Sequence, residues 1–305
     1  EHSNVKLIPA GTTLLSFKLS IGKTAIAGKD LYTNEAIAAL KPKKSELLRN
    51  KYLFYLFSAK IIDLSAENKA FGKSLNSDYL KNSIRIPLPP PEIQDDIISK
   101  CESIDMEYER SRMSIETYRE KIVNLFSDME VAKVGGVRLS NRNLFEISIG
   151  RRVLNSELRI DGDIPVYSAN VQDPLGMIDR LLITDFGKDS ILWGIDGDWM
   201  VNYIKKDNPF YPTDHCGVIR VDEKILNPHF VMYMLEVAGR NAGFNRSYRA
   251  SIDRIESLII PVVPIDEQNL IMQKVEKLEE KINEEIAKMQ GLMSKRRDIV
   301  NSYLT

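Results

Sequence analysis

The chain has 305 residues, 43% hydrophobic and 28% charged, which is long enough for two domains with real cores and too apolar for a disordered or fibrous chain. Lys and Arg number 42 against 43 Asp and Glu, a formal charge of -1, so any attraction for nucleic acid has to come from local basic clusters. Two cysteines and three histidines, with His215 beside Cys216, exclude a zinc cluster and a disulfide framework. No run approaches the roughly 20 apolar residues of a membrane span, and the opening "EHSNVKLIPAG" lacks signal-peptide regions, so a cytoplasmic protein away from membranes is expected.

In chain order, "LLSFKLSIGKTAI" (14–26) predicts a hairpin carrying Lys18 and Lys23, with Lys29 just beyond. A strand, "AIAAL" (36–40), a helix, "KYLFYLFSAK" (51–60), and a basic loop, "NKAFGKSLNS" (68–77) with Lys73, follow. Next comes "IRIPLPPPEIQDDI" (84–97), a short apolar run, a proline corner and an acidic helix start. From there Ile97, Cys101, Ile104, Tyr108, Ser111, Ile115, Tyr118, Ile122, Leu125 and Met129 recur in steps of four and three, the seam of a heptad helix.

The second half repeats this order. "IPVYSA" (164–169) and "GMIDRLLI" (176–183) read as short strands, "SILWGIDGDWMVNYI" (190–204) as a hairpin, "CGVIRV" (216–221) as a strand and "PHFVMYMLEVAG" (228–239) as a helix with Pro near its start. "LIIPVVPIDEQNLI" (258–271) then restates the proline corner, and its seam runs Ile271, Val275, Leu278, Ile282, Glu285, Met289, Leu292, Arg296, Ile299 and Tyr303. One shift of 174 residues (261 − 87 = 174) carries the prolines, Gln94 onto Gln268, and every seam position onto its partner. The repeats differ in one respect: Gly136 through Phe186 precedes the second hairpin, whereas only about ten residues precede Gly11 in the first. Two equivalent heptad stripes have an obvious partner in one another, so an antiparallel intramolecular coiled coil is expected, roughly 50 Å long, with Ser111 near Glu285 at its middle. The alternative is two amphipathic helices, each lying on its own domain.

Taken together, these residues resemble the DNA-specificity subunits of type I restriction-modification systems. The stretches that carry the likeness are "GTTLLSFKLSIGKTAI" (11–26), "IRIPLPPPEIQDDI", "DGDIPVYSANVQDPLGMID" (161–179), "FYPTDHCGVIRV" (210–221) and "LIIPVVPIDEQNLI". The resemblance implies an α+β chain: two repeated α/β target-recognition domains, the first partial, with two long helices forming the antiparallel coiled coil. On that reading residues 1–88 are the partial first recognition domain, 89–132 the first long helix, 133–263 the second recognition domain and 264–305 the second long helix. It also implies a non-catalytic subunit that binds double-stranded DNA with a bipartite target and docks methyltransferase subunits and a restriction subunit. No cofactor is expected in this chain; S-adenosylmethionine belongs to the methyltransferase partners. Two alternatives stay open, the C-terminal specificity region of a fused enzyme and a coiled-coil scaffold that reads no sequence.

Base reading needs fixed donors and acceptors on loops, with Lys and Arg on phosphates to set position. "GRNAGFNRSYRAS" (239–251) offers Arg240, Asn245, Arg246, Tyr248 and Arg249 with no acid. Arg151 and Arg152, with Asn170 at a strand end, form a second group, and Lys18 and Lys23 a possible phosphate side in the first unit. The bland readings are a solvated basic loop and edge-strand lysines. "DNPFY" (207–211) is similar to the aromatic loop of adenine methyltransferases but lacks its second proline, and is read as a connection between strands. Trp193 and Trp199, flanking "GIDGD", are read as core under the hairpin, and no metal site is expected.

Overall fold

The fold is seen in a computed structural model, which describes residues 6–18, 20–62, 64, 80, 82 and 84–303. Its first elements are β1 (Thr13–Ser16), β2 (Thr24–Ile26), β3 (Ile37–Leu40), α1 (Asn50–Ser58) and the long helix α2 (Pro91–Leu125). A single helical turn, α3 (Val131–Val134), leads to β4 (Gly136–Arg138), β5 (Phe145–Ile149), β6 (Ile164–Tyr167), β7 (Gly176–Ile178), β8 (Ser190–Gly194) and β9 (Val201–Ile204). β10 (Tyr211–Pro212), β11 (Cys216–Val221), α4 (Pro228–Ala242), α5 (Ile252–Ser257), β12 (Ile259–Pro261) and the second long helix, α6 (Ile265–Ser302), complete the chain. The chain divides into two compact units, Glu1–Thr117 with Lys281–Thr305, and Tyr118–Glu280. Packing thus groups the residues differently from the sequence divisions at 88, 132 and 263, because each helix end belongs to the core it touches.

In the first unit an antiparallel sheet runs β2-β1-β3. Its central Leu15 is buried against Leu53 and Phe57 of α1. The opposite side of α1, Tyr52, Tyr55 and Leu56, packs on Ile97 and Cys101 of α2 and Val300 of α6. A helix apolar on two sides is what a piece sandwiched between a sheet and a helix pair requires. Burial pushes the Cys101 thiol up to about 11, so it acts as a small hydrophobe.

Within this unit the two long helices run antiparallel. Glu107 lies 3.3 Å from Lys288, Asp105 accepts from Arg296 at 2.8 Å, and Asp96 accepts from the Tyr303 hydroxyl. One residue number falls as the other rises. Ile97, Ile104, Ile115, Ile122 and Val275 are buried and Leu278, Ile282 and Met289 half-buried, each within its own unit, so the heptad stripe is turned inward along both helices. Ser111 and Glu285, the polar positions of the two seams, form no hydrogen bond through their buried atoms: Ser111 Oγ and Glu285 Oε2 have no hydrogen-bond partner among the described residues.

The second unit is built on a four-stranded antiparallel sheet, β5-β11-β8-β9, with a smaller sheet β10-β6-β7 and the pair β12-β4. α4 starts with Asn227 as N-cap, its side chain accepting from Phe230 N at 3.0 Å, and ends at Gly243 with φ +76°. Both tryptophans are structural. A Cβ at Gly217 would lie 2.2 Å from the Trp193 ring and one at Gly239 2.2 Å from Trp199. Their indole N–H groups donate to Ala250 O and Glu236 O, each at 2.9 Å.

The repeated glutamine now has a physical role. Gln94 is fully buried, accepts from Arg49 N at 2.8 Å and donates to Leu47 O and Pro89 O at 2.8 Å each. Gln268, equally buried, accepts from Asn227 N at 2.8 Å and donates to Ile225 O at 3.1 Å and Val263 O at 2.7 Å. Each glutamine ties the segment before the domain helix (227 − 49 = 178) to the proline corner that opens the long helix. Tyr55 donating to Asp105 and Tyr233 to Glu279, both at 2.8 Å, make a second matched contact farther along each long helix.

Candidate nucleic-acid interface

One end of the second unit's sheet collects the loops that hold the candidate residues. At that end Gly217 of β11 pairs with Ile149 of β5, Cys216 with Gly194 of β8, and Trp193 with Val201 of β9. Backbone bonds then draw the outgoing loops together: Gly150 N to Cys216 O at 3.2 Å, Arg151 N to Pro212 O at 3.1 Å, Ile195 N to His215 O at 3.0 Å and Ala250 N to Ile195 O at 3.0 Å. Thr213 Oγ1 donates to Ser168 Oγ at 3.0 Å, adding the Ser168–Asn170 turn. Residues separated by a hundred positions in sequence therefore share one sheet end, and loops on a rigid scaffold are where binding residues concentrate.

Within this group the side chains divide into free and engaged. Arg151, Arg152 and Arg246 are exposed, with no ion pair or side-chain hydrogen bond among the described residues. Arg246 sits at a tight turn in which Asn245 N donates to Tyr248 O and Tyr248 N to Asn245 O, each at 3.1 Å. Asn245 Oδ1 accepts from Ser247 N at 2.8 Å and Tyr248 N at 3.0 Å, while its Nδ2 donates to Gly243 O at 2.8 Å. The Asn245 amide builds the turn that presents Arg246. Asn170 acts likewise, its Oδ1 accepting from Gln172 N and Asp173 N.

Arg249 is braced by an acid the loop itself lacks. Its guanidinium meets Asp196 on both carboxylate oxygens, and the Asp196 carboxylate also bonds the His215 ring. Partial burial pushes the Asp196 pKa up, but the bonds from His215 and Arg249, with their charges, outweigh it and hold the carboxyl below its ordinary value. Tyr248 caps an aromatic pile: it stacks on Phe244 at 5.5 Å, Phe244 lies 5.2 Å from Trp199, and Arg254 covers the Tyr248 ring at 4.1 Å. Arg240 stands on α4 and is paired with Glu236 one turn back at 2.6 Å. In the first unit Lys18 is half-buried and Lys23 exposed in the turn joining β1 to β2, while Lys73 lies outside the described residues. Phe210 of "DNPFY" is buried with Val171, Leu192 and Val218, so it packs the core instead of offering a face to a base. Asp196 and His215 were not singled out in the sequence; their partners lie 53 and 19 residues away, a separation that leaves no local signal.

The family described as "Type I restriction modification DNA specificity domain" matches residues 1–115 and 137–288. The chain belongs to that family. Among curated relatives, the type I restriction enzyme MjaIX specificity subunit of Methanocaldococcus jannaschii is 29% identical over 42% of this chain, and the match takes in only 30% of that subunit. A Mycoplasma pneumoniae protein named as type I specificity subunit S.MpnORF615P is 23% identical over 56% of this chain and 70% of its own length. The specificity-domain fold is matched by the S subunit of the M. genitalium type I system, with TM-score 0.56 at 18% identity over 98% of this chain and 84% of that one. A chain from a structure of type I R-M complex assembly and conformational transition gives TM-score 0.53 at 15% identity, over 99% and 84%. No helix among the described residues is long and apolar enough to cross a membrane.

Proposed function

We propose that this chain is the sequence-reading subunit of a type I restriction-modification assembly, non-catalytic itself, with double-stranded DNA as its ligand and a bipartite target. The observation that carries the reading is the convergence of Arg151, Arg152 and Arg246 on one sheet end, free of acid partners among the described residues, beside the braced Arg249. Guanidinium groups in that state suit phosphate oxygens and guanine edges alike. The turn around Arg246 and the Asp196 brace fix two of them before DNA arrives, which lowers the ordering cost of binding. Two repeats, each tied by a buried glutamine into a long heptad helix, suit two half-sites with a spacer. Methyltransferase subunits, carrying S-adenosylmethionine, and a restriction subunit are the assigned partners. With a formal charge of -1 the isolated chain binds DNA weakly, and selectivity emerges in the assembly.

The test is the adenine methylome of the host with the gene present, deleted, and restored as wild type or as Arg151→Ala/Arg152→Ala/Arg246→Ala. One motif with two halves and a fixed gap disappears on deletion and returns with the wild type. With the triple variant, methylation is lost or the half-site relaxes. A motif restored unchanged by the triple variant overturns the assignment of these arginines, and no motif lost on deletion overturns the reader itself.

A further inference from the structure

The guanidinium groups gathered at the sheet end of the second unit only donate hydrogen bonds. Arg151, Arg152, Arg246 and Arg249 therefore suit phosphate oxygens and the O6 and N7 acceptors of guanine, and nothing that itself donates. The amide oxygens of Asn170 and Asn245 already accept within their own turns. An acceptor for a base edge has to come from another side chain, and the same loop cluster holds one in His215.

His215 stands in the turn that leads into β11, on a firm mount. Its N–H donates to Oγ1 of the buried Thr213 at 3.2 Å, Cys216 N donates to Thr213 O at 3.0 Å, and Ile195 N donates to His215 O at 3.0 Å. The imidazole is half-exposed, and its Nδ1 is bonded to Asp196 Oδ2. Asp196 also receives Arg249 on both carboxylate oxygens. A carboxylate that takes a guanidinium on both oxygens is ionised and has no proton to give, so His215 Nδ1 is the donor of their bond. In the neutral ring the lone pair then sits on Nε2, at the far side from Asp196. No hydrogen bond reaches Nε2 among the described residues, and Asp214 Oδ1, at 4.0 Å, lies beyond bonding distance. With Asp196 and Asp214 both beside it, the ring faces a negative local field that disfavours a phosphate and favours a group with a positive edge. In the major groove that group is an exocyclic amine, N6 of adenine or N4 of cytosine.

We propose that His215 is a specificity-determining residue of the second unit, its Nε2 accepting from an exocyclic base amine, and that Asp196 is the positioning residue that fixes the tautomer and direction of the ring. The inference rests on the reading of this unit as a DNA reader. One carboxylate then anchors two complementary readers, Arg249 as donor and His215 as acceptor.

The test uses the assembly purified from the host on a tagged copy of this chain. Its probe is a duplex carrying the motif found by comparing methylomes with and without the gene. Each adenine is replaced in turn by purine and each cytosine by pyrimidin-2-one, which removes the amine alone. At one position this removal is expected to weaken wild-type binding about fivefold, the size of one hydrogen bond. With His215→Leu the same removal has no effect at that position. His215→Gln, whose amide oxygen extends about as far as Nε2, keeps the response, and Asp196→Ala, which frees the ring to turn, diminishes it. The base at that position tells adenine from cytosine. Amine responses that are the same at every position in the wild type and His215→Leu overturn the proposal, whether or not overall affinity falls. A wild-type assembly that prefers no motif overturns the DNA-reading assignment itself, and the proposal with it.

Discussion

The two repeats agree where the chain turns and disagree where it is covered. Gln94 and Gln268 make the same three hydrogen bonds to equivalent groups, and Tyr55 and Tyr233 the same contact to the long helix that follows. Yet the first unit has a three-stranded sheet where the second has four strands, a second small sheet and the β12-β4 pair. What is kept in both copies is the joint between domain and helix; what differs is the part of the domain that presents loops.

The largest effect expected from this comparison is at the joint. Replacing Gln268 with Leu leaves Asn227 N–H, Ile225 O and Val263 O without their partner, at about 1–3 kcal/mol for each buried group left unpaired. Thermal unfolding of the Gln268→Leu and Gln94→Leu proteins measures both joints. Similar losses support one shared bracket, whereas a small loss for Gln94→Leu alone says that the first unit is held by other contacts.

The next effect is on DNA and separates the units. Arg246→Ala is expected to weaken target methylation by about 10-fold or more, the size of one lost guanidinium contact of about 1–3 kcal/mol. Lys23→Ala, in the β1–β2 turn of the first unit, is expected to change it less and evenly across sequences, as a phosphate contact does. A larger effect from Lys23 would reverse the assignment of the better-built reader.

How far these features were legible follows from their range in sequence. The heptad seam, both hairpins and the helices at α1 and α4 announce themselves through spacing, and the proline corner through repetition. β4 and β5 escaped notice because "GVR" and "FEISI" are too short and too exposed on one face to show a period; pairing with distant β12 and β11 makes them strands. The candidate site was half legible. The basic stretch around Arg246 is visible as composition, but Asn245 and Asn170 as turn builders and Asp196 as a brace depend on contacts that only the fold creates.

A smaller effect tests the helix pair of the first unit. Ser111→Ala with Glu285→Leu removes two buried atoms that lack hydrogen-bond partners among the described residues, and is expected to raise stability by about 1 kcal/mol. A Tm lowered by the double substitution would mean that the polar pair does bonding work the seam needs.

The smallest effect is one of pH, and it belongs to the second unit alone. His229 is stacked on Tyr203 at 4.5 Å and its Nε2 lies 3.6 Å from Glu279. Burial lowers its pKa below the ordinary 6.5 and Lys205 acts the same way, with Glu279, Glu276 and Asp189 opposing. The unfolded chain therefore takes up a proton more readily than the folded one. The stability from keeping this imidazole neutral is complete above about pH 6.5 and is lost as pH falls through 6.5 toward the lowered value. At the equivalent place the first unit has Lys51 paired with Glu102 (229 − 51 = 178; 276 − 102 = 174), and both histidines of the described residues lie in the second unit. Unfolding followed by hydrogen exchange from about pH 7 to about pH 5 should then show the second unit weakening while the first does not. His229→Phe, which keeps the stacked ring and removes the titrating group, should flatten that slope. If the slope survives the substitution, the acid response lies in other contacts, and the imidazole serves only to fill the space between Tyr203 and Tyr233.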